Sequence, residues 1–181
     1  MDKNVKIFAP SIPLVETDAE TAIGRLFQPP FVSKQIREFP GNVELIPLRT
    51  LGLELGPTVI SFRTQKHPGG SIAIRINDSI AYLTDTAADE GSVAFARGVN
   101  FLLHEVWLTD EDAARDPDEM TGHSRSSAVR DIAVKSAVPY LMPIHLHPTY
   151  TENQLIDLAA GLQAPNLRVV LPREGQIYEV E

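Results

Sequence analysis

A chain of 181 residues with 43% hydrophobic and 22% charged side chains has the makeup of a globular protein of about one domain, at roughly 150 residues per domain. Its 16 basic and 24 acidic residues leave a net charge of -8, which argues against nucleic acid or an anionic membrane as the default partner. No apolar run nears the roughly 20 residues that span a bilayer, and a chain without cysteine has no disulfides, thiolate metal sites or thiol nucleophiles. The opening MDKNVKIFAP lacks the apolar stretch of a signal peptide, so a cytoplasmic location is expected. Any metal would have to be held by histidine and carboxylate.

Up to about Thr50 the chain is proline-dotted, with Pro10, Pro13, Pro29, Pro30, Pro40 and Pro47, and only weakly periodic. Residues 5–8 read as a short strand, and 18–27 as a helical turn or two with Ile23 and Leu26 inward. From Thr58 the pattern sharpens. Residues 58–63 are β-branched and aromatic, and 71–76 alternate with Ile72, Ile74 and Ile76 on one face. Asn77-Asp78 then offers turn chemistry before 79–84, which predicts a hairpin. A helix is expected around 92–97 and a buried strand over 99–103. A further helix over 124–137 would place Val129, Ile132 and Ala133 on one face, followed by a strand over 140–146. Thr151 and Gln154 form a capping-box pair ahead of Leu155, Leu158, Ala159 and Leu162, so a helix starts there. Residues 167–171 and 176–180 read as two short closing strands. Strands alternating with helices predict a layered α/β architecture.

All five histidines, His67, His104, His123, His145 and His147, follow residue 66. Each candidate group ends a predicted strand or sits in the loop beside one, where a rigid scaffold commonly presents function. The segments are Lys66-His67-Pro68-Gly69-Gly70, Tyr82-Leu83-Thr84-Asp85-Thr86, His104-Glu105-Val106-Trp107, Gly122-His123-Ser124 and Ile144-His145-Leu146-His147-Pro148. Singly, each has a plain structural reading. Asp85-Thr86 reads as a turn or cap, His147 as a surface residue, Trp107 as a packing residue and Gly69-Gly70 as a loose turn. His104 and Glu105 alternate across a strand, so only one of them faces a given site.

In this order the segments resemble the metallo-β-lactamase superfamily, and within it the ribonuclease Z-like phosphodiesterase branch, from about Val59 to Ile156. Lys66-His67-Pro68-Gly69-Gly70 is similar to the family's histidine loop, and the Asp85 segment to its aspartate motif. His104-Glu105-Val106-Trp107-Leu108 is similar to His-Glu-Ala-Thr-Phe, Gly122-His123-Ser124 to the Gly-His-Ser-Thr helix start, and His145 to Thr151 to the closing histidine segment. The resemblance implies metal-assisted hydrolysis by two cations about 3.5 Å apart that share a bridging water. Zinc is the expected metal, with manganese or iron as alternatives. By position His67 would bind one metal, His145 the other, and Asp85 would bridge them. His123 would stand beside the scissile phosphate, stabilising it or protonating the leaving oxygen, with Glu105 orienting its ring.

One family signature is absent: no histidine precedes His67, so the chain has no His-x-His-x-Asp-His. With His67, Asp85 and His145 alone, each metal would have two protein ligands, one of them shared, against the three usual for a catalytic zinc. Leu146 points away between His145 and His147, which leaves His147 outside the expected set. The expected fold is therefore α/β, a single 1–181 domain with a partial metallo-β-lactamase fold: an αββα sandwich lacking much of its first sheet. Its open sheet face would be covered by a partner chain, a second copy or the first 50 residues. The expected function is metal-dependent hydrolysis of a phosphodiester by a metal-activated water. The charge, and the lack of a glycine- and lysine-rich arm, favour a small phosphodiester over RNA. The alternatives are a binding or assembly module that keeps the scaffold, and an endoribonuclease that processes tRNA 3′ ends.

Overall fold

The computed structural model describes residues 4–39 and 41–179, without the Arg37 side chain. The chain divides into two compact units, Met1–Leu51 and Gly52–Glu181. In the first, β1 (Asn4–Pro10) pairs in parallel with β2 (Asn42–Leu48), from Asn4 opposite Asn42 to Pro10 opposite Leu48. Between them runs α1 (Ala19–Leu26), capped by Asp18, whose carboxylate accepts from Thr21 N at 2.8 Å. β2 falls in the stretch that reads as irregular in the sequence. Its Pro47 is tolerated because both strands of a two-stranded sheet are edges. Leu26 does not turn inward as expected: it is 56% exposed, and Ala19 is the buried residue of α1.

The second unit is built on a seven-stranded sheet whose spatial order is its chain order. The strands are β3 (Gly52–Leu55), β4 (Thr58–Gln65), β5 (Ser71–Ile76), β6 (Ile80–Leu83), β7 (Phe101–Glu105), β8 (Tyr140–Ile144) and β9 (Arg168–Val169). β3 to β6 are antiparallel neighbours, and from β6 onward the pairing is parallel. The predicted hairpin joins β5 to β6. Asn77 takes a left-handed φ of 47° there, and its side-chain oxygen accepts from Val59 N at 2.8 Å. Parallel neighbours need crossovers. These are α2 (Glu90–Ala96) before β7, α3 (Asp110–Arg115) and α4 (Ser126–Ser136) before β8, and α5 (Glu152–Gly161) before β9. The Thr151–Gln154 capping box is present at the start of α5.

One sheet face forms the core. Ala73, Ala81, Leu83, Leu102 and Leu141 meet Val93 and Ala96 of α2, Val129, Ile132 and Ala133 of α4, and Leu158 of α5. Ala73, Ala81, Ala96 and Ala133 are fully buried, and such small side chains allow the helices to lie close to the sheet. Each buried valine or leucine contributes about 1.5–3 kcal/mol. α2 is pinned to β4 by Arg63, whose Nη2 reaches both oxygens of Asp89 at 2.5–2.6 Å and whose Nη1 reaches Ser92 Oγ. Burial pushes the Asp89 carboxyl up, but the Ser92 N–H and the Arg63 charge outweigh it and hold the group below the usual range.

Three expectations need correction. α3 has no apolar periodicity and goes unseen in the sequence; it rests on its cap, Thr109, whose hydroxyl accepts from Asp112 N. α4 begins at Ser126 rather than Ser124. The closing pair reduces to the two residues of β9: 176–179 form no strand, and Val180 lies outside the described residues.

The topology sets where loops meet. β4 is antiparallel to β5 and β5 to β6, so β4, β6, β7 and β8 all point the same way. Their carboxyl ends share one edge of the sheet, the place where open α/β sheets bind ligands.

His104 lies on the core face of β7, fully buried, with Nδ1 2.8 Å from the Glu105 carbonyl oxygen and Nε2 without a hydrogen-bond partner among the described residues. Burial pushes its pKa below the ordinary 6.5. Below about pH 6.5 the unfolded chain takes up a proton at this ring that the folded chain refuses, so stability falls as pH drops and is indifferent to this ring above that value. Substituting His104→Leu is expected to flatten the acid limb by up to about 1.4 kcal/mol per pH unit, read from urea unfolding midpoints between about pH 7 and 5.

Candidate active site

Five side chains singled out in the sequence arrive at the shared edge. His67 sits in the turn after β4, which Gly69 and Gly70 close with φ of 80° and 86°. Asp85 lies two residues past β6, Glu105 ends β7, His145 follows β8 directly, and His123 precedes α4. Asp85 and His145 adopt φ of 50° and 45°. This left-handed backbone costs a non-glycine residue roughly 1–2 kcal/mol, and here it turns the carboxylate and the imidazole off the strand ends.

Glu105 organises the group. Strand alternation sends it to the face opposite His104, where it is fully buried. Its Oε1 accepts from Thr86 N at 3.2 Å and Ser124 N at 2.8 Å. Its Oε2 lies 2.9 Å from His123 Nδ1 and 3.1 Å from His145 Nδ1. Both imidazoles therefore donate from Nδ1, which leaves Nε2 of each for a proton or a metal. Ser124 Oγ, donating to Thr86 O at 2.6 Å, ties together the two backbone segments that serve Glu105. Asp85 Oδ1 lies 3.6 Å from His145 Nδ1 and 3.8 Å from His67 Nε2.

The loop carrying His123 rests on the loop carrying His67. Gly122 has a φ of 81°, and a Cβ there would come within 2.5 Å of Pro68 Cδ and 2.9 Å of His67 Cδ2. The N-cap of α4, Arg125, makes no side-chain cap bond. Asp110 substitutes, accepting from Ser126 Oγ, Ser127 N and Ser127 Oγ at 2.6–2.9 Å, and so holds the helix that follows His123.

Two residues read as incidental in the sequence belong to the site wall. The Trp107 ring stacks on His123 at 4.6 Å and 17°, and lies 5.1 Å from His145 and 4.7 Å from His147. His147, expected at the surface, keeps 19% side-chain exposure and bonds Thr149 Oγ1 through Nδ1. The missed signal was period two: Trp107 lies two residues past Glu105 and shares its side.

Asp85, Glu105, His123 and His145 each present a ligand-type atom within 4.8 Å of the others; His67 stands next to Asp85 but outside this group of four. The donors are all nitrogen and oxygen, a set that fits zinc, manganese or iron. Glu105 is already occupied by four donors, so the groups left to meet a cation are Asp85 and the imidazoles of His67, His123 and His145.

Two substitutions probe this arrangement. Glu105→Gln puts an amide where two imidazoles donate, and is expected to lower stability by roughly 2–3 kcal/mol in chemical denaturation. Gly122→Ala is expected to cost about 1–3 kcal/mol and to shift the ring signals of both His67 and His123 in NMR spectra.

No family model matches the chain. It is 27% identical over 154 residues to ribonuclease Z of Microcystis aeruginosa, covering 79% of this chain and 47% of that protein. It is 28% identical over 156 residues to ribonuclease Z of Crocosphaera subtropica, covering 78% and 49%. The chain spans about half the length of the curated relatives it matches. Among solved structures, the metallo-β-lactamase fold protein YhfI from Bacillus subtilis superposes with a TM-score of 0.70 at 18% identity, over 96% of this chain and 63% of that one. A diphosphatase of the PhnP family gives 0.68 at 18% identity, over 98% and 60%. The short form of human tRNase Z gives 0.59 at 15% identity, over 97% and 68%. Near-complete coverage of this chain against partial coverage of its neighbours agrees with the incomplete sandwich expected from the sequence. The chain has the metallo-β-lactamase fold, and its sequence is similar to that of ribonuclease Z.

Proposed function

We propose that the chain carries the phosphodiester-hydrolysing site of a metal-dependent hydrolase. The observation that supports this best is the buried Glu105 carboxylate holding two imidazoles beside Asp85 at the shared strand edge. Asp85, flanked by His67 and His145, would hold the metal as the shared carboxylate. When bound, the metal supplies Lewis-acid polarisation of the phosphate and a nucleophilic water at neutral pH. His145 is kept in one tautomer by Glu105, with Nε2 available. His123, held the same way, presents Nε2 to the leaving oxygen and delivers its proton there, while Glu105 offsets the charge of the protonated ring.

Zinc is the metal this reading favours. The net charge of -8 weighs against RNA, which leaves a small cyclic or dialkyl phosphodiester as the first reading. RNA is the second reading, supported by the ribonuclease Z name of the curated relatives. A binding or assembly role without hydrolysis follows if the ligand set stays incomplete.

Elemental analysis of protein purified without chelator or tag histidines separates these. Metal retained by the wild-type chain, lost in Asp85→Asn together with cleavage of a bis-aryl phosphodiester, is the expected result. Parallel assay on a tRNA precursor decides between the substrate classes. Cleavage that survives Asp85→Asn would overturn the site, and protein without metal or cleavage would leave the assembly role.

A further inference from the structure

We propose that Trp107 is the positioning residue that fixes the plane of the His123 ring, and with it the direction in which Nε2 faces. The hydrogen bond to Glu105 Oε2 at 2.9 Å fixes one atom of the imidazole, Nδ1. That single bond restrains the two side-chain torsions of His123 only in part, because carboxylate oxygens accept over a broad range of directions. A flat contact removes the freedom that remains. The indole lies 17° from parallel to the imidazole with centroids 4.6 Å apart, while His67 meets the same ring edge-to-face at 5.2 Å.

The two stacked residues are also tied through their backbones. Trp107 N donates to Ser124 O at 2.9 Å, Ser126 N donates to Leu108 O at 3.0 Å, and Leu108 forms a bridge with Arg125. The stretch after β7 and the stretch after His123 therefore run side by side, which sets the distance between the rings. Trp107 Nε1 is buried and has no hydrogen-bond partner among the described residues. The contacts this side chain makes are with three imidazole rings, those of His123, His145 and His147. Its contacts at 5.1 Å to His145 and 4.7 Å to His147 extend the same packing to the other side of the site.

What the fixed ring is for rests on the reading of His123 given above, but the ring's orientation is measured without metal or substrate. Trp107 is the chain's single tryptophan, so its spectra are unambiguous. In metal-free, histidine-labelled protein, the His123 ring protons are expected to lie upfield because of indole shielding. In Trp107→Ala they should move toward free-imidazole positions, and the Nδ1–H should exchange with solvent roughly three- to tenfold faster. Trp107→Phe keeps a flat partner and should restore slow exchange. In His123→Ala the near-UV tryptophan band and the indole emission should both change. A folded Trp107→Ala protein with unaltered His123 ring signals and exchange overturns the proposal. If that variant does not fold, unchanged tryptophan spectra in His123→Ala overturn it instead. A protein that binds no metal and cleaves nothing still passes or fails this test, so the two proposals fail separately.

Discussion

A carboxylate buried away from water must be met by donors, and Glu105 is met by four: two backbone amides and two imidazoles. Burying such a charge without partners would cost far more than one domain's net stability, so the surrounding chain is constrained to deliver those donors. Thr86 belongs to the turn after β6, Ser124 to the approach to α4, and His145 to the end of β8. One side chain at the end of β7 thus specifies the path of three separate loops. The positions of Asp85, one residue before Thr86, and of His123, one before Ser124, follow from the same constraint.

The division of labour across β7 has the same origin. Adjacent residues on a strand face opposite ways, so His104 joins the hydrophobic side and Glu105 the site. Two neighbouring ionisable groups are thereby treated in opposite fashion. One is kept neutral by burial with a single acceptor, and the other is surrounded by donors. Asp89 shows a third solution at the start of α2, where an arginine and a helix cap outweigh partial burial.

Much of the second unit was legible because its signals are local. The alternation of Ile72, Ile74 and Ile76, the Asn77-Asp78 turn, the Thr151–Gln154 box and the buried face of α4 all depend on residues close in sequence. The order of Asp85, Glu105, His123 and His145 was readable as a pattern, and their convergence follows from the parallel strands. What escaped was decided at a distance. β2 is a strand because β1 lies beside it, despite Pro47. α3 depends on its cap and on Asp112 accepting from Tyr150 Oη, 38 residues away. Trp107 and His147 became parts of the site wall only when ring packing brought them to His123 and to each other. Leu26 stayed exposed because its helix buries little more than Ala19.

The order of strands in the large sheet bears on how the molecule breathes. Strands at the margins, four-residue β3 and two-residue β9, are held on one side only, whereas β6, β7 and β8 are bonded on both. Amide hydrogens along the margins will exchange through cheap local fraying, and those of the inner strands only through the larger openings that approach global unfolding. Asp85 and Glu105 hang from β6 and β7, and the end of β8 that carries His145 is laddered to β7 rather than to β9, so the sheet can lose either border momentarily while the geometry of the site persists.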